Sequence, residues 1–200
     1  MTTEPEYLTT RVTWPIPPVD GFTAEDLDRI PDLPPHAELI DGSLIFTGAQ
    51  TRAHAATVDL INRMLDRLAP SDYLVVRDMT VTLGPRQRPE PDVTVVYAEA
   101  LVSLSQTDFT AADALLTVEV ASKESVIRDR KRKPQLYAEA GIEHFWRVEN
   151  VDDHAVVYVY QLDPGTGMYV PTGVHNGRLK LDVPFPIEID LSEIHQLGGY

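Results

Sequence analysis

One short apolar segment constrains the fold more than any other feature of the sequence. Residues 115–120 (LLTVEV) are apolar except for Thr117 and Glu119, and such runs are typical of strands covered on both faces of a sheet. Residues 93–96 (VTVV) form a second β-branched run of this kind. Burying Glu119 in such a strand costs free energy unless a partner compensates its charge. The segment therefore predicts a covered sheet and a partner for Glu119.

Two stretches predict helices that can cover such a sheet. In residues 51–68 the apolar side chains recur at three- and four-residue steps, which indicates an amphipathic helix. Residues 129–140 also have helical character, with Gly141 at the expected C-terminal stop. Pro134 lies inside this stretch, so the helix either begins near Lys131 with Pro134 in its first turn or kinks at Pro134.

The remaining pattern predicts a single α/β domain. Asp41-Gly42 joins two short apolar stretches, residues 37–40 and 43–46, and favours a tight hairpin turn. Residues 1–20 are rich in Thr and Pro and are interpreted as an extended arm. We expect residues 21–200 to form one domain, a mixed β-sheet flanked by helices with a β-rich C-terminal extension.

Composition and charge limit the possible chemistry. The chain has no cysteine, which excludes disulfides, thiolate zinc sites and cysteine nucleophiles, so a metal must bind through oxygen or histidine. With 17 basic against 31 acidic residues, its formal charge of −14 repels polyanions. Basic residues are concentrated only in residues 128–133 (RDRKRK). No apolar run approaches the roughly eighteen residues that span a bilayer, and we expect a cytoplasmic location without membrane association.

Three carboxylates lie on or beside apolar strands: Glu38, Asp92 and Glu119. Two carboxylates that converge repel each other, so one must take up a proton or a cation must lie between them. Ligation by oxygen alone favours Mg²⁺ or Mn²⁺. We expect Asp92 and Glu119 to converge on one such ion and to strain the metal-free site. The alternative is that each carboxylate sits at a strand end, solvated or paired with an arginine.

Lys133 is the lysine that we expect to face these carboxylates. It shares a helix face with Asp129, four residues earlier, and a simple ion pair would explain that spacing. A lysine near a metal-bound phosphate can also stabilise the transition-state charge and orient or help deprotonate the attacking water. Lys131 points about 200° away from Lys133 on a helix, and Lys123 follows the strand of Glu119. His54, at the start of the long helix, is a candidate acid, base or ligand, or a structural residue.

Several blocks of the sequence resemble one family in their order and spacing. The blocks are Pro91-Asp92, Glu119-Val120-Ala121-Ser122, Asp129, Lys133, Tyr137, Ala140-Gly141 and Trp146, with AELIDGSLIF and His54 upstream. They are similar to the pattern of the Uma-two family, bacterial proteins grouped with restriction endonucleases of the PD-(D/E)XK superfamily. The resemblance covers about residues 22–194. It implies a restriction-endonuclease-like core in which Glu38, Asp92 and Glu119 surround a divalent ion at one edge of the sheet.

The resemblance also implies roles for the site residues. Asp92, Glu119 and the Val120 carbonyl would bind Mg²⁺ or Mn²⁺, and Glu38 would assist. The superfamily pattern has a lysine two residues after the glutamate, where this chain has Ala121. Lys133 is therefore expected to take the place of that lysine and to stabilise charge from the helix.

Two functions are compatible with this pattern. The first is a Mg²⁺-dependent endonuclease that hydrolyses phosphodiester bonds of DNA, and the second is a non-catalytic dimeric binding or regulatory module that keeps the nuclease fold. Dependence of divalent-ion binding on Asp92 and Glu119 would distinguish them. We expect DNA as the substrate and a homodimer as the assembly. The basic run 128–133, with Arg86 and Arg88, is expected to contact DNA.

Overall fold

The computed structural model describes residues 14–152 and 154–194. The helices and strands in these residues are, in chain order, α1 (Ala24–Leu27), β1 (Ala37–Ile40), β2 (Ser43–Phe46), α2 (Arg52–Leu68), β3 (Tyr73–Arg77), β4 (Thr80–Thr82), β5 (Val93–Tyr97), β6 (Asp108–Thr110), β7 (Ala114–Val120), α3 (Lys133–Glu139), β8 (His144–Val151), β9 (His154–Asp163), β10 (Met168–Asn176), β11 (Arg178–Leu181) and β12 (Ile187–Asp190). The mixed α/β class predicted from the sequence is confirmed, including the β-rich C-terminal part.

A six-stranded mixed sheet forms the centre of the fold. Its strand order is β10-β9-β8-β7-β5-β3. Strand β7 lies in the middle, parallel to β8 and antiparallel to β5, and all seven of its residues are buried. The apolar run around Glu119 is therefore the fully covered strand that the sequence predicted.

Helix α2 and the C-terminal strands cover one face of this sheet. Val58, Ile61 and Leu65 of α2 pack with residues of β5, β7 and β8, and the β11–β12 hairpin joins the same core cluster. Helix α3 belongs to a second cluster, in which Tyr137 packs against Phe145. The sheet thus has an apolar layer on each side, which leaves Glu119 far from bulk water.

A wide turn leads into helix α3. Residues Arg128–Arg132 form a π-helical turn, and the Lys133 N–H bonds the Arg128 carbonyl five residues earlier. Helix α3 follows directly at Lys133, and Arg132 before it already has helical backbone angles, so Pro134 lies inside a continuous helical stretch that the π turn widens. The helical stretch therefore does not begin near Lys131 with Pro134 in its first turn, and the sequence did not predict the π turn that precedes Pro134.

The Asp41-Gly42 hairpin is confirmed as well. Strands β1 and β2 pair antiparallel, and Asp41 and Gly42 both have positive φ angles, 53° and 76°. These angles fit the tight turn that the sequence predicted. The hairpin carries Glu38, in a strand whose four residues are all buried.

Two predictions from the sequence, the extended arm and the single domain, stay predictions. The extended arm falls largely on residues 1–13, which lie outside the described residues. The single domain over residues 21–200 also stays a prediction. No helix within residues 14–152 and 154–194 is both long enough and apolar enough to cross a membrane.

Candidate active site

Lys133 joins two of the predicted acidic residues. Its Nζ atom lies 2.6 Å from Glu38 Oε1 and 2.9 Å from Glu119 Oε2. The side chains of Lys133, Glu38 and Glu119 are only 4%, 2% and 3% exposed. Strand β1, strand β7 and the first residue of α3 therefore meet at one buried ion-pair cluster.

Two further side chains of the π turn and of α3 complete this cluster. Tyr137, one turn after Lys133, donates a hydrogen bond of 2.5 Å to Glu119 Oε1. Asp129 Oδ1 lies 3.9 Å from Lys133 Nζ and has no hydrogen-bond partner among the described residues. The face shared by Asp129, Lys133 and Tyr137 is thus directed at Glu119, as expected for Lys133.

Asp92 stands opposite Glu119 but has other partners. In the β5–β7 register Val93 pairs with Val118, so Asp92 precedes β5 at the level of Glu119. Asp92 Oδ2 accepts a hydrogen bond of 2.6 Å from the Val120 N–H. The Val120 N–H is thereby held against Asp92, and the Val120 carbonyl, predicted to ligate a metal, belongs to the next peptide unit.

His54 is the second partner of Asp92. Thr51 caps helix α2 by accepting a hydrogen bond from the His54 N–H, which places His54 in the first turn. His54 Nε2 lies 3.1 Å from Asp92 Oδ1, and its Nδ1 has no hydrogen-bond partner among the described residues. Burial lowers the pKa of His54, but the Asp92 carboxylate and the Val120 backbone outweigh it and raise the pKa overall. His54 is therefore well placed to orient Asp92.

The buried cluster holds more carboxylates than cations. Lys133 faces Glu38, Glu119 and Asp129, so one ammonium group serves three carboxyl groups. Burial raises the pKa of Glu119 well above its ordinary value, and Lys133 only partly offsets this. Burial raises the pKa of Asp129 in the same way. For Lys133, burial lowers the pKa but the surrounding carboxylates raise it well above its usual range, so the lysine is charged at neutral pH.

An open cavity of about 320 Å³ adjoins these groups. Glu38, His54 and Asp92 line it, together with residues before strand β1 and after strand β3. Glu38 Oε2, the oxygen that does not contact Lys133, has no hydrogen-bond partner among the described residues. The cavity gives a ligand access to a surface whose titratable groups are mainly acidic.

Comparisons with known proteins show the family and the fold of the chain. Residues 24–192 match the family described as "Uma2: Putative restriction endonuclease". The chain belongs to the Uma2 family. Its fold is similar to a solved structure described as "Crystal structure of a putative nuclease belonging to DUF820 from Anabaena variabilis ATCC 29413", with a TM-score of 0.68 and 14% identity over 88% of this chain and 98% of that chain. No curated protein matches the chain.

One expectation about the carboxylates of this Uma2 chain is corrected by the geometry. We expected Asp92 and Glu119 to strain the metal-free site by repelling each other. Instead Glu119 is paired with Lys133, while Asp92 is bound by the Val120 N–H and lies beside His54. Glu119 and Asp92 therefore have separate partners, whereas the cluster around Lys133 as a whole keeps its excess of carboxylates.

The basic run is also used differently from our expectation. Arg130 binds both Glu149 oxygens, at 2.8 and 2.6 Å. Arg132 binds both Asp41 oxygens, at 2.8 and 2.6 Å, and holds the pKa of Asp41 down to about 2. Because their charges are largely balanced within the chain, these arginines offer less to DNA than the sequence suggested.

Of the two arginines before Asp92, only Arg88 is placed differently from our expectation, since Arg86 is exposed. Arg88 is buried, binds Asp28 at 2.9 Å and bonds Thr80. Arg86 donates a hydrogen bond to the Asp41 carbonyl of the β1–β2 turn. The Arg88 side chain therefore links the end of α1 to strand β4, and its burial keeps it from contacting a bound nucleic acid.

Sequence reasoning missed one direct contact of the site. The sequence placed Tyr137 in the family pattern and on the helix face of Lys133 but gave it no partner, whereas it donates to Glu119 in the structure. Its position four residues after Lys133 was the available signal, because residues at that spacing lie on one helix face.

Proposed function

We propose that this chain is a divalent-metal-dependent endonuclease that hydrolyses phosphodiester bonds of DNA. The observation that carries the proposal is the buried excess of carboxylates around Lys133, next to a cavity lined by Asp92 and Glu38. Uncompensated buried carboxylates are costly unless they bind protons or cations. Membership of the Uma2 family supports the same reaction class.

The donor set fits a hard divalent cation. Asp92, Glu119 and the Val120 carbonyl offer oxygen atoms, the ligand type that Mg²⁺ and Mn²⁺ prefer. Glu38 Oε2, which has no hydrogen-bond partner among the described residues, is a further oxygen available near them. When bound, the ion would supply Lewis-acid stabilisation of charge on the phosphate.

The protein groups have separate tasks in this proposal. Lys133 is charged at neutral pH, which favours electrostatic stabilisation of the transition state over removal of a proton from water. Glu38 and Glu119 together hold the Lys133 ammonium in place. Tyr137 fixes the Glu119 carboxylate, and His54 orients Asp92.

Nicking of supercoiled plasmid DNA tests the function. With Mg²⁺ or Mn²⁺ the wild type should nick the plasmid, and Glu119→Gln should lower that rate by about a hundredfold or more because a charged ligand is removed. Glu99→Gln, a control outside the cavity, should nick normally. Absence of nicking by the wild type on supercoiled, linear and single-stranded DNA would favour the non-catalytic binding module.

The salt dependence of DNA binding tests where DNA lies. Lys123 and Lys131 are the lysines of this region that stand outside the buried Lys133 cluster. If both contact phosphates, replacing them with Gln should reduce the slope of log K against log salt by about 0.9 for each phosphate that is no longer neutralised. Arg130→Gln, whose charge is balanced by Glu149, should change the slope less. DNA binding is measured by fluorescence anisotropy. A larger change in slope for Arg130→Gln than for the lysine variant would show that the arginines contact DNA.

We propose that the protein works as a homodimer in this reaction. Two copies would present two sites to the two strands of a duplex. Light scattering on the purified chain tests the assembly, and a monomeric mass at micromolar concentration would contradict it.

A further inference from the structure

A second group of ligand-type side chains lies outside the Lys133 cluster. His36, Asp78 and Glu90 each offer one ligand atom, and these atoms all lie within 4.8 Å of one another. Glu90 Oε1 is 2.5 Å from His36 Nδ1. None of the three was given a role by the sequence or in the proposed reaction.

The cavity connects this group to an unsatisfied buried carboxylate. His36, Asp78 and Glu90 line the same 320 Å³ cavity as Glu38. Glu38 is 2% exposed, and its Oε2 has no hydrogen-bond partner among the described residues. Its other oxygen, Oε1, accepts a hydrogen bond from the Glu90 N–H. Glu38, whose Oε2 has no partner among the described residues, is therefore bonded directly to a member of the His36, Asp78 and Glu90 group.

The chain neutralises the group only in part. Arg77 donates to Asp78 Oδ2 at 2.9 Å, but the same guanidinium also bonds Asp59. The second Asp78 oxygen is therefore left for another ligand. The Glu90 side chain is only 13% exposed, and among the described residues the His36 imidazole is the one basic side chain in contact with it. Two carboxylates thus share one imidazole and part of one guanidinium.

We propose that His36, Asp78 and Glu90 bind a divalent cation of borderline softness, Zn²⁺ or Mn²⁺, at a site separate from the Asp92 and Glu119 centre. An imidazole nitrogen with two carboxylate oxygens is a donor set that suits these ions. Mg²⁺ prefers oxygen ligands alone and binds such a set poorly. Three protein ligands leave open positions that face the cavity.

The position of this ion relates it to the reacting phosphate. His36 precedes Glu38 by two residues, and Glu90 precedes Asp92 by two residues. Both pairs line one cavity, so the ion would add positive charge on the wall that a phosphate group approaches. Its binding does not depend on the proposed catalysis, because none of its three ligands belongs to that centre.

Calorimetric titration of the full chain with Zn²⁺ tests the site. The wild type and Asp92→Asn should both bind Zn²⁺ at this site, whereas His36→Gln and Asp78→Asn should each weaken it by about tenfold or more. His36 is 55% exposed and Asp78 is exposed, so both variants should fold. His175→Gln and Asp66→Asn are matched controls away from the cavity and should bind like the wild type.

Three other results of the titration would contradict the proposed second site. Equal Zn²⁺ binding by His36→Gln and the wild type would assign the ion elsewhere. Loss of all binding in Asp92→Asn would place the only ion at the proposed catalytic centre. No Zn²⁺ or Mn²⁺ binding by the wild type would leave the group as a network of ion pairs. Manganese electron paramagnetic resonance gives an independent count, with two ions expected in the wild type and one in His36→Gln.

Discussion

Replacement of Lys133 by methionine should abolish plasmid nicking and destabilise the fold at neutral pH. Methionine keeps the apolar stem but removes the ammonium group that faces Glu38, Glu119 and Asp129. Loss of a preorganised charge at the reacting phosphate should slow nicking by about a hundredfold to a thousandfold. Leaving buried carboxylates without their partner should lower the free energy of unfolding by about 3–5 kcal/mol.

The loss of stability should depend on pH in a defined direction. Burial raises the pKa of Glu119 and of Asp129 in the folded chain, and removing Lys133 raises both further. A carboxyl group with a raised folded pKa favours folding below its unfolded pKa and loses that contribution as pH rises through the folded value. Urea unfolding should therefore show a large deficit for Lys133→Met at pH 8 and a smaller one at pH 5.

A double variant separates catalysis from folding. Lys133→Met with Glu38→Gln removes one negative charge together with the positive one, so part of the lost stability should return while nicking stays absent. Lys180→Met, an exposed control on β11, should match the wild type in both measurements. Nicking by Lys133→Met at the wild-type rate would show that Lys133 acts only as an ion-pair partner. An equal deficit at pH 5 and pH 8 would contradict the ionised cluster.

The sequence predicted the features of the site that depend on local periodicity. The buried strand of Glu119 follows from its apolar run, and the choice of Lys133 over Lys131 follows from the angle between helix positions. The geometry agrees with both, since Lys133 is buried against Glu119 while Lys131 is exposed. The π turn over Arg128–Arg132 was not predicted, because a π turn has no simple signature in the sequence.

Long-range partners could not be predicted in this way. Arg132 pairs with Asp41 across 91 positions, and Arg88 pairs with Asp28 across 60. His36 meets Glu90 across 54 positions. Such contacts depend on how the β1–β2 hairpin docks on the sheet, which no local pattern encodes. The same limit explains why the basic run suggested a DNA-binding surface, since its neutralising partners lie elsewhere in the chain.

Asp92→Asn should remove the stabilisation of the protein by Mg²⁺ and should abolish nicking. The amide oxygen can still accept the Val120 N–H, so the change removes charge while keeping shape. At a Mg²⁺ concentration about 100 times Kd, binding to the folded state adds about 2.7 kcal/mol. For a chain of this size that corresponds to a rise in Tm of roughly 5–11 °C. Thermal denaturation with and without Mg²⁺ measures the rise, and Asp66→Asn on the exposed side of α2 serves as the control.

The size of this Mg²⁺ effect should grow with pH. Metal ligands must be deprotonated, and burial holds the pKa of Glu119 above its ordinary value. Mg²⁺ therefore competes with a proton at Glu119, so its affinity should fall as pH drops through that raised pKa and should level off above it. Repeating the melts in His36→Gln removes any contribution from the second ion. Equal changes in Tm on adding Mg²⁺ in Asp92→Asn and the wild type would place the ion away from Asp92. A change in Tm that is the same at pH 5 and pH 8 would show that Glu119 is not a ligand of the ion.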